Sequence, residues 1–347
     1  HPLIGTPMNT IKISSQIRYW DQSPTRRISA TDRNGRTIEV AYFLLAQFTG
    51  YSKHYPLPLL YSYKNRKLFL PLREKFMSLD RGTVYEAGDM FFEDELPQVQ
   101  KTVDIPVFYF VYNMANYYHF IYDTLPYLHS YFNEKKIHPD MKLLVSPPEG
   151  QDDLYPFVWD SLNMLGITRD DVVFLDPEVM YNRVCVSSSL THNGLSNCPP
   201  HRGVFDILNS MKSDYIGPEK IYISRRTWVH NKKYNIGTDY TERRRCVNED
   251  QMAQIFKLYG FKEIFCENLT MEEKIGMFRT AKYVAGPIGG GMCNLIFSPP
   301  ETKVMSINSP TFMDVNLRFA YSMVHTDLFN FEHTEFVDRQ EESVESE

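Results

Sequence analysis

The chain has 347 residues, of which 43% are hydrophobic and 23% charged, with a formal net charge of −6. These fractions set disorder aside for all but the ends, and the length suits about two domains with a cleft between them. The acidic balance argues against a broad nucleic-acid footprint, so any anionic ligand is expected to be small.

Cys185, Cys198, Cys246, Cys266 and Cys293 are an odd set without C-x-x-C spacing, which suggests neither a disulfide framework nor a structural zinc site, although one or two bridges stay open. No window approaches the length of an apolar membrane span, and the opening HPLIGTPMNT has no signal-peptide core. The chain therefore reads as soluble as given: cytoplasmic or, with an upstream anchor removed, in the Golgi or endoplasmic reticulum lumen.

Residues 11–100 read as short strands and turns, with extended stretches at 37–47 and 67–72 and interruptions at Pro56, Pro58 and Pro71. No catalytic pattern occurs there, and the first hundred residues are expected to form a strand-rich extension. From 106 the pattern alternates: strand 106–112, helix 117–132, strand 141–146, helix 154–165, and strands 172–175 and 184–188. NGLSNCPPHRG, at 193–203, reads as a loop or interdomain crossing.

A second series follows: strand 220–224, helix 249–259, strand 261–266, helix 271–280, strand 282–285, short helix 290–297 and strand 303–307. Repeated βαβ units imply a parallel sheet in each half, an α/β fold. Asn248 with Gln251 and Thr270 with Glu273 have capping-box spacing. The division expected is 1–200, 201–330 and an acidic, loosely ordered tail over 331–347 that ends EESVESE.

Three segments carry chemistry. NYYHFIYDTLP, 116–126, follows an apolar strand and sets His119 and Asp123 four apart on one helix face. This is either a base and its partner at the end of a strand or a hydrogen-bonded pair that fixes the helix. Asn116 is expected to cap this helix and Pro126 to bend or shorten it. Tyr117, Tyr118, Tyr122 and Tyr127 could stack on sugar rings or belong to the core.

VAGPIGGGMCNLIF, 284–297, runs a strand into Gly289, Gly290 and Gly291 and then a short helix. That is either a structural turn or a cradle whose N–H groups meet a phosphate. YISRR, 222–226, ends a strand with Arg225 and Arg226, whose planar forks match phosphate oxygens unless they serve surface salt bridges. In an open parallel sheet Ser224 and Gly286 would border the same crevice. The chain lacks D-x-D, Walker A, G-x-S-x-G and H-E-x-x-H patterns, so metal need not be invoked. Asn268-Leu269-Thr270 is a glycosylation sequon, although Thr270 already has a capping role.

In this order the three segments, with the Arg245-x-x-Asn248-Glu249 helix start and GPIGGGMCNLIFSPP, resemble glycosyltransferase family 61, over about 107–307. That family includes plant xylan arabinosyl- and xylosyltransferases and animal protein O-linked N-acetylglucosaminyltransferases. The resemblance implies a GT-B architecture, two Rossmann-like domains facing across a cleft. It further implies an inverting, metal-independent transfer from a nucleoside diphosphate sugar, UDP-linked xylose or N-acetylglucosamine, to a hydroxyl of a glycan or glycoprotein acceptor. No cofactor is expected, since the nucleotide sugar is a substrate, and neither a nucleic-acid partner nor a transmembrane segment is expected.

On that resemblance the C-terminal domain binds the donor. Arg225 and Arg226 grip the diphosphate with Gly289, Gly290, Gly291 and Asn294, while Asn248 and Glu249 lie where nucleoside or ribose contacts fall, and Arg245 belongs to the same donor-binding set. Asp123 is the first choice of general base, with His119 orienting it or exchanging roles. One departure stands out: the family's G-x-H-G-A turn has histidine where this chain has Ile288. That difference keeps a noncatalytic carbohydrate- or nucleotide-binding module open as the alternative. A dinucleotide-dependent oxidoreductase fits worse, because the glycines lie in the wrong place.

Overall fold

The computed structural model describes residues 101–176 apart from 149, residues 203–226 and 244–308, and short strands at 11–14, 26–29, 37–43, 61–62, 67–69, 89–92, 179–181, 184–187, 329–333 and 336–338. Its centre is two sheets, one in each half of the chain. The first contains β1 (Arg26–Ser29), β2 (Thr37–Phe43), β3 (Val107–Tyr109), β4 (Lys142–Val145), β5 (Val172–Phe174) and β6 (Val184–Ser187), in the order β5-β4-β3-β6-β2-β1. The four strands from β3 to β6 are mutually parallel, whereas β2 and β1 are added antiparallel.

Part of the first hundred residues thus completes the sheet edge beside β6, with Val40 opposite Ser187 and Phe43 opposite Val184. β3 is buried along its length, and Phe110, Val111 and Tyr112 after it are buried as well. That is why its sequence is a continuous apolar run and not an alternation. Counted from β3, the parallel strands lie in the order 3-2-1-4, so the winding reverses between β3 and β6.

The second sheet is wholly parallel: β7 (Lys220–Ile223), β8 (Lys262–Ile264), β9 (Tyr283–Pro287), β10 (Lys303–Asn308) and β11 (Phe329–His333), in the order β8-β7-β9-β10-β11. This is the 2-1-3-4-5 winding of a doubly wound fold, whose crevice opens at the carboxyl ends of β7 and β9. Both sheets are α/β with Rossmann-like winding.

Among the described residues the helices are α1 (Tyr117–His119), α2 (Leu128–Lys135), α3 (Pro156–Met164), α4 (Gly203–Ser210), α5 (Glu249–Leu258) and α6 (Met271–Thr280). Buried residues of both halves join in one apolar cluster, including Phe120 and Phe157 from the first and Ile275, Phe278 and Met292 from the second. α3 lies against α6 and α1 against the turn after β9. No helix among the described residues is long and apolar enough to cross a membrane.

Several expectations are revised. The expected box at Asn248 does not form: its backbone is not extended, its side chain caps nothing, and its Oδ1 instead accepts the Cys246 thiol at 3.2 Å. Thr270 does cap, accepting the Glu273 N–H at 3.2 Å. Residues 331–347 are not all loose, because Phe331 to His333 complete β11 and Phe336–Asp338 pairs antiparallel with Arg244–Cys246. The apolar and aromatic residues in FNFEH and FVD give those short stretches strand character despite the acidic composition around them. The break expected at 193–202 lies outside the described residues. Cys185, Cys246, Cys266 and Cys293 are buried and form no disulfide among the described residues.

Candidate active site

Beyond β3 the chain turns on Asn113, whose Oδ1 accepts the N–H groups of Ala115 and Asn116 at 3.1 and 3.0 Å. Asn116 then caps α1 through the His119 N–H at 3.2 Å. Pro126 has no N–H to give, and the helix answers by changing gauge. A π turn over Phe120–Thr124 is followed by a 3-10 turn over Leu125–Tyr127 and then by α2. Such turns are uncommon within helices and recur at functional positions.

The π turn holds Asp123, and the pair expected from the spacing forms. His119 Nδ1 lies 2.8 Å from Asp123 Oδ2, with the imidazole side chain 25% exposed and the carboxylate 1%. The difference in exposure separates their chemistry. The carboxylate is buried where it meets Nδ1, and a neutral imidazole that donates from Nδ1 to it has Nε2 as its acceptor. Tyr118 flanks the ring with centroids 4.9 Å apart. Tyr122 and Tyr127 are core residues, the latter stacked on Tyr112.

In the second half, β7 runs on into Ser224 and Arg225, both buried. The Arg225 N–H donates to Glu249 Oε1 at 2.8 Å, and the same oxygen accepts the Tyr222 hydroxyl at 3.1 Å. Glu249 begins α5, where helix N–H groups favour an anion, yet burial raises its pKa above the usual carboxylate range. Its Oε2 has no hydrogen-bond partner among the described residues. A buried carboxylate thus pins the backbone that presents Arg225.

The Arg225 side chain reaches the glycine turn, donating from a terminal guanidinium nitrogen to the Ile288 carbonyl at 3.2 Å. Desolvation lowers its pKa, opposed by Glu249 and Glu267. The turn's glycines differ in what they permit. A Cβ at Gly289 would fall 1.8 Å from that nitrogen, one at Gly291 would meet Ile223 at 2.7 Å, and one at Gly290 would meet nothing within 4 Å. Gly290 is the exposed crest of the turn. Ile288 is buried at 2% exposure, so its side chain offers no polar group there.

Arg226 behaves differently from its neighbour. It is bidentate to Glu263 at 2.8 and 2.7 Å and bonds Asp250 at 2.8 Å, contacts that raise its pKa. The tandem arginines therefore diverge, one to the glycine turn and one to a pair of carboxylates. Arg245 lies in the strand Arg244–Cys246, Asn248 is held by Cys246, and the Arg245 side chain is outside the described residues.

Asn294, fully buried, joins the two halves. Its amide donates to the Gly291 carbonyl at 2.9 Å, and its Oδ1 accepts the Tyr117 hydroxyl at 2.5 Å. Because Tyr117 is two residues from His119, this bond ties the helix of the His119–Asp123 pair to the glycine turn. Asp160 of α3 makes a parallel tie by accepting the Met271 N–H at the start of α6.

Lys274 was not among the residues expected at the site. It is 2% exposed, with its amine 4.1 Å from the Tyr117 ring centroid. A signal for it exists: Met271, Lys274, Ile275 and Phe278 occupy the i, i+3, i+4, i+7 positions of an apolar stripe, where a lysine is out of place.

Residues 117–305 match the model of the family described as Glycosyltransferase 61, more than half of the chain, including His119, Asp123, Arg225, the glycine turn and Lys274. No curated protein matches the chain.

Proposed function

The chain belongs to glycosyltransferase family 61, and from that premise we propose that it is an inverting, metal-independent transferase. Its donor is a UDP-sugar, carrying xylose or N-acetylglucosamine, and its acceptor a hydroxyl of a glycan or glycoprotein. The two Rossmann-like sheets would form a GT-B pair, the first half presenting the acceptor and the second holding the donor. The observation that carries this reading is the Arg225 guanidinium against the glycine turn, at the carboxyl ends of β7 and β9, bonded through Asn294 and Tyr117 to the helix of the His119–Asp123 pair.

The difference in exposure supports His119 as the base and Asp123 as the group that orients it. His119 Nε2 takes the acceptor hydroxyl proton as that oxygen attacks C1 of the donor from the face opposite the leaving group. The C1–O bond breaks with its electron pair passing to the diphosphate, so the anomeric configuration inverts. Arg225 and the N–H groups around Gly289, Gly290 and Gly291 stabilise the growing negative charge. Arg226 would add to this only by releasing Glu263 or Asp250. Glu249 keeps Arg225 in place and leaves Oε2 to accept from a donor hydroxyl, with Asn248 and Arg245 nearby in sequence for the nucleoside.

Purified protein incubated with UDP-xylose or UDP-N-acetylglucosamine, a panel of glycan and glycopeptide acceptors and a chelator should release UDP and give an inverted linkage by NMR. The apolar Ile288 supports the second reading, a binding module on the same fold. Saturable UDP-sugar binding without transfer or donor hydrolysis across the panel would decide for it.

A further inference from the structure

We propose that Lys274 is a second cation of the donor diphosphate site, serving the Gly291 side of the turn as Arg225 serves the Gly289 side. The inference rests on the donor-site reading above. Lys274 lies in the first turn of α6, at the carboxyl end of the same sheet, where helix N–H groups favour an anion. Its surroundings connect directly to the turn. The Tyr117 ring beneath the amine is bonded through its hydroxyl to Asn294, Asn294 donates to Gly291, and the Cys266 sulfur lies 3.4 Å from where a Gly291 Cβ would stand.

The amine has no hydrogen-bond partner among the described residues, and the groups facing it are Cys266, Cys293, Glu267, Asp160 and Tyr117. Burial keeps both thiols neutral, with Cys266 pushed up to about 12 and Cys293 well above its usual value. Tyr117 is likewise held protonated by burial. Glu267 and Asp160 act on the amine only through space, and Asp160 is engaged by the Met271 N–H. Burial lowers the amine's own pKa to about 8, a cost that an aromatic ring alone offsets poorly and a phosphate would repay.

Two side chains near the amine, Tyr117 and Asp160, come from the first half of the chain, whereas Cys266, Glu267, Asn294 and Cys293 come from the second. A phosphate reaching Lys274 would therefore be felt by both halves. Its charge would also be matched to the reaction: the amine is drawn to the protonated state most strongly when the diphosphate carries its full leaving-group charge.

The test is calorimetric titration with UDP between pH 7 and 9, in two buffers of different ionisation enthalpy, on the wild type, Lys274→Met and Lys274→Gln. UDP's phosphate has lost its last proton through most of this range, so uptake present in the wild type and absent in the variants belongs to Lys274. Wild type should take up about half a proton at pH 8 and close to one near pH 9, because the free amine titrates at about 8. Both variants should bind about ten- to hundredfold more weakly at pH 7, the loss of one charged hydrogen bond, with no uptake. Equal affinity and equal uptake in the three proteins would overturn the inference while leaving the donor site standing. A wild type that binds no UDP, although folded, would overturn the donor reading itself, and this inference with it.

Discussion

Lys274→Met should make the protein more stable near neutral pH, even though it removes a buried cation from its place over the Tyr117 ring. The folded-state pKa, about 8, lies below the ordinary 10.5, so the folded chain holds this proton more weakly than the unfolded chain does. The penalty is therefore fully present below pH 8 and fades as the pH rises from there toward 10.5. The drop is about 2.5 units, and at about 1.4 kcal/mol per unit it amounts to about 3 kcal/mol. Methionine has nearly the same length and no charge to desolvate, while the lost contact with the Tyr117 ring returns about 1–2 kcal/mol. The expected net gain at pH 7 is thus about 1–2 kcal/mol. Urea unfolding of both proteins at pH 7 and at pH 9.5 reads the difference directly, and it should shrink or change sign at the higher pH. A variant that is less stable at pH 7, or a difference independent of pH, would refute the reasoning that the amine is buried without an acceptor among the described residues.

His119→Ala should abolish transfer while UDP affinity measured by calorimetry survives, and Asp123→Asn should cut kcat by about a hundred- to ten-thousandfold by releasing the imidazole's tautomer; a stronger defect in binding than in turnover would argue against both roles. Gly289→Ala should displace the Arg225 guanidinium and weaken UDP binding at least tenfold, a loss on the order of 1.4 kcal/mol, whereas Gly290→Ala should fold normally because its Cβ meets open space. Equal effects at the two positions would count against the turn's assigned geometry. Arg225→Ala should cost more UDP affinity than Arg226→Ala, whose main effect should be a lowered melting temperature as Glu263 loses its bidentate partner.

Most of the architecture can be read from the chain, and the reasons are local. The helix at 271–280 begins at a real cap and carries Met271, Ile275 and Phe278 on its inner stripe, so its bounds follow from the residues alone. β7 and β9 are likewise legible because strands buried on both faces leave continuous apolar runs. The pair at 119 and 123 follows from spacing, and the Arg225 contact with the turn from the rule that strand ends share a crevice. What escapes the sequence is direction. Nothing in the dipeptide Arg225-Arg226 says that the two side chains part, because Glu263 and Asp250 that hold the second come from other elements. The exposure that separates His119 from Asp123 depends on packing across the helix. The fifth strand, β11, hides within acidic residues, and Asn248 has the letters of a cap but a neighbouring thiol that takes its oxygen.

The π turn constrains how the helix at 117–135 can vary in length. Five residues there span what regular α geometry would cover with one fewer, so a single deletion between Phe120 and Tyr122 could be absorbed by the backbone while both flanks kept facing the interior. The cost would fall on the chemistry alone: carboxylate and imidazole would then stand three residues apart instead of four, on a tighter coil. Related chains that keep the pair should therefore keep the spacing of this stretch even where its individual apolar residues interchange.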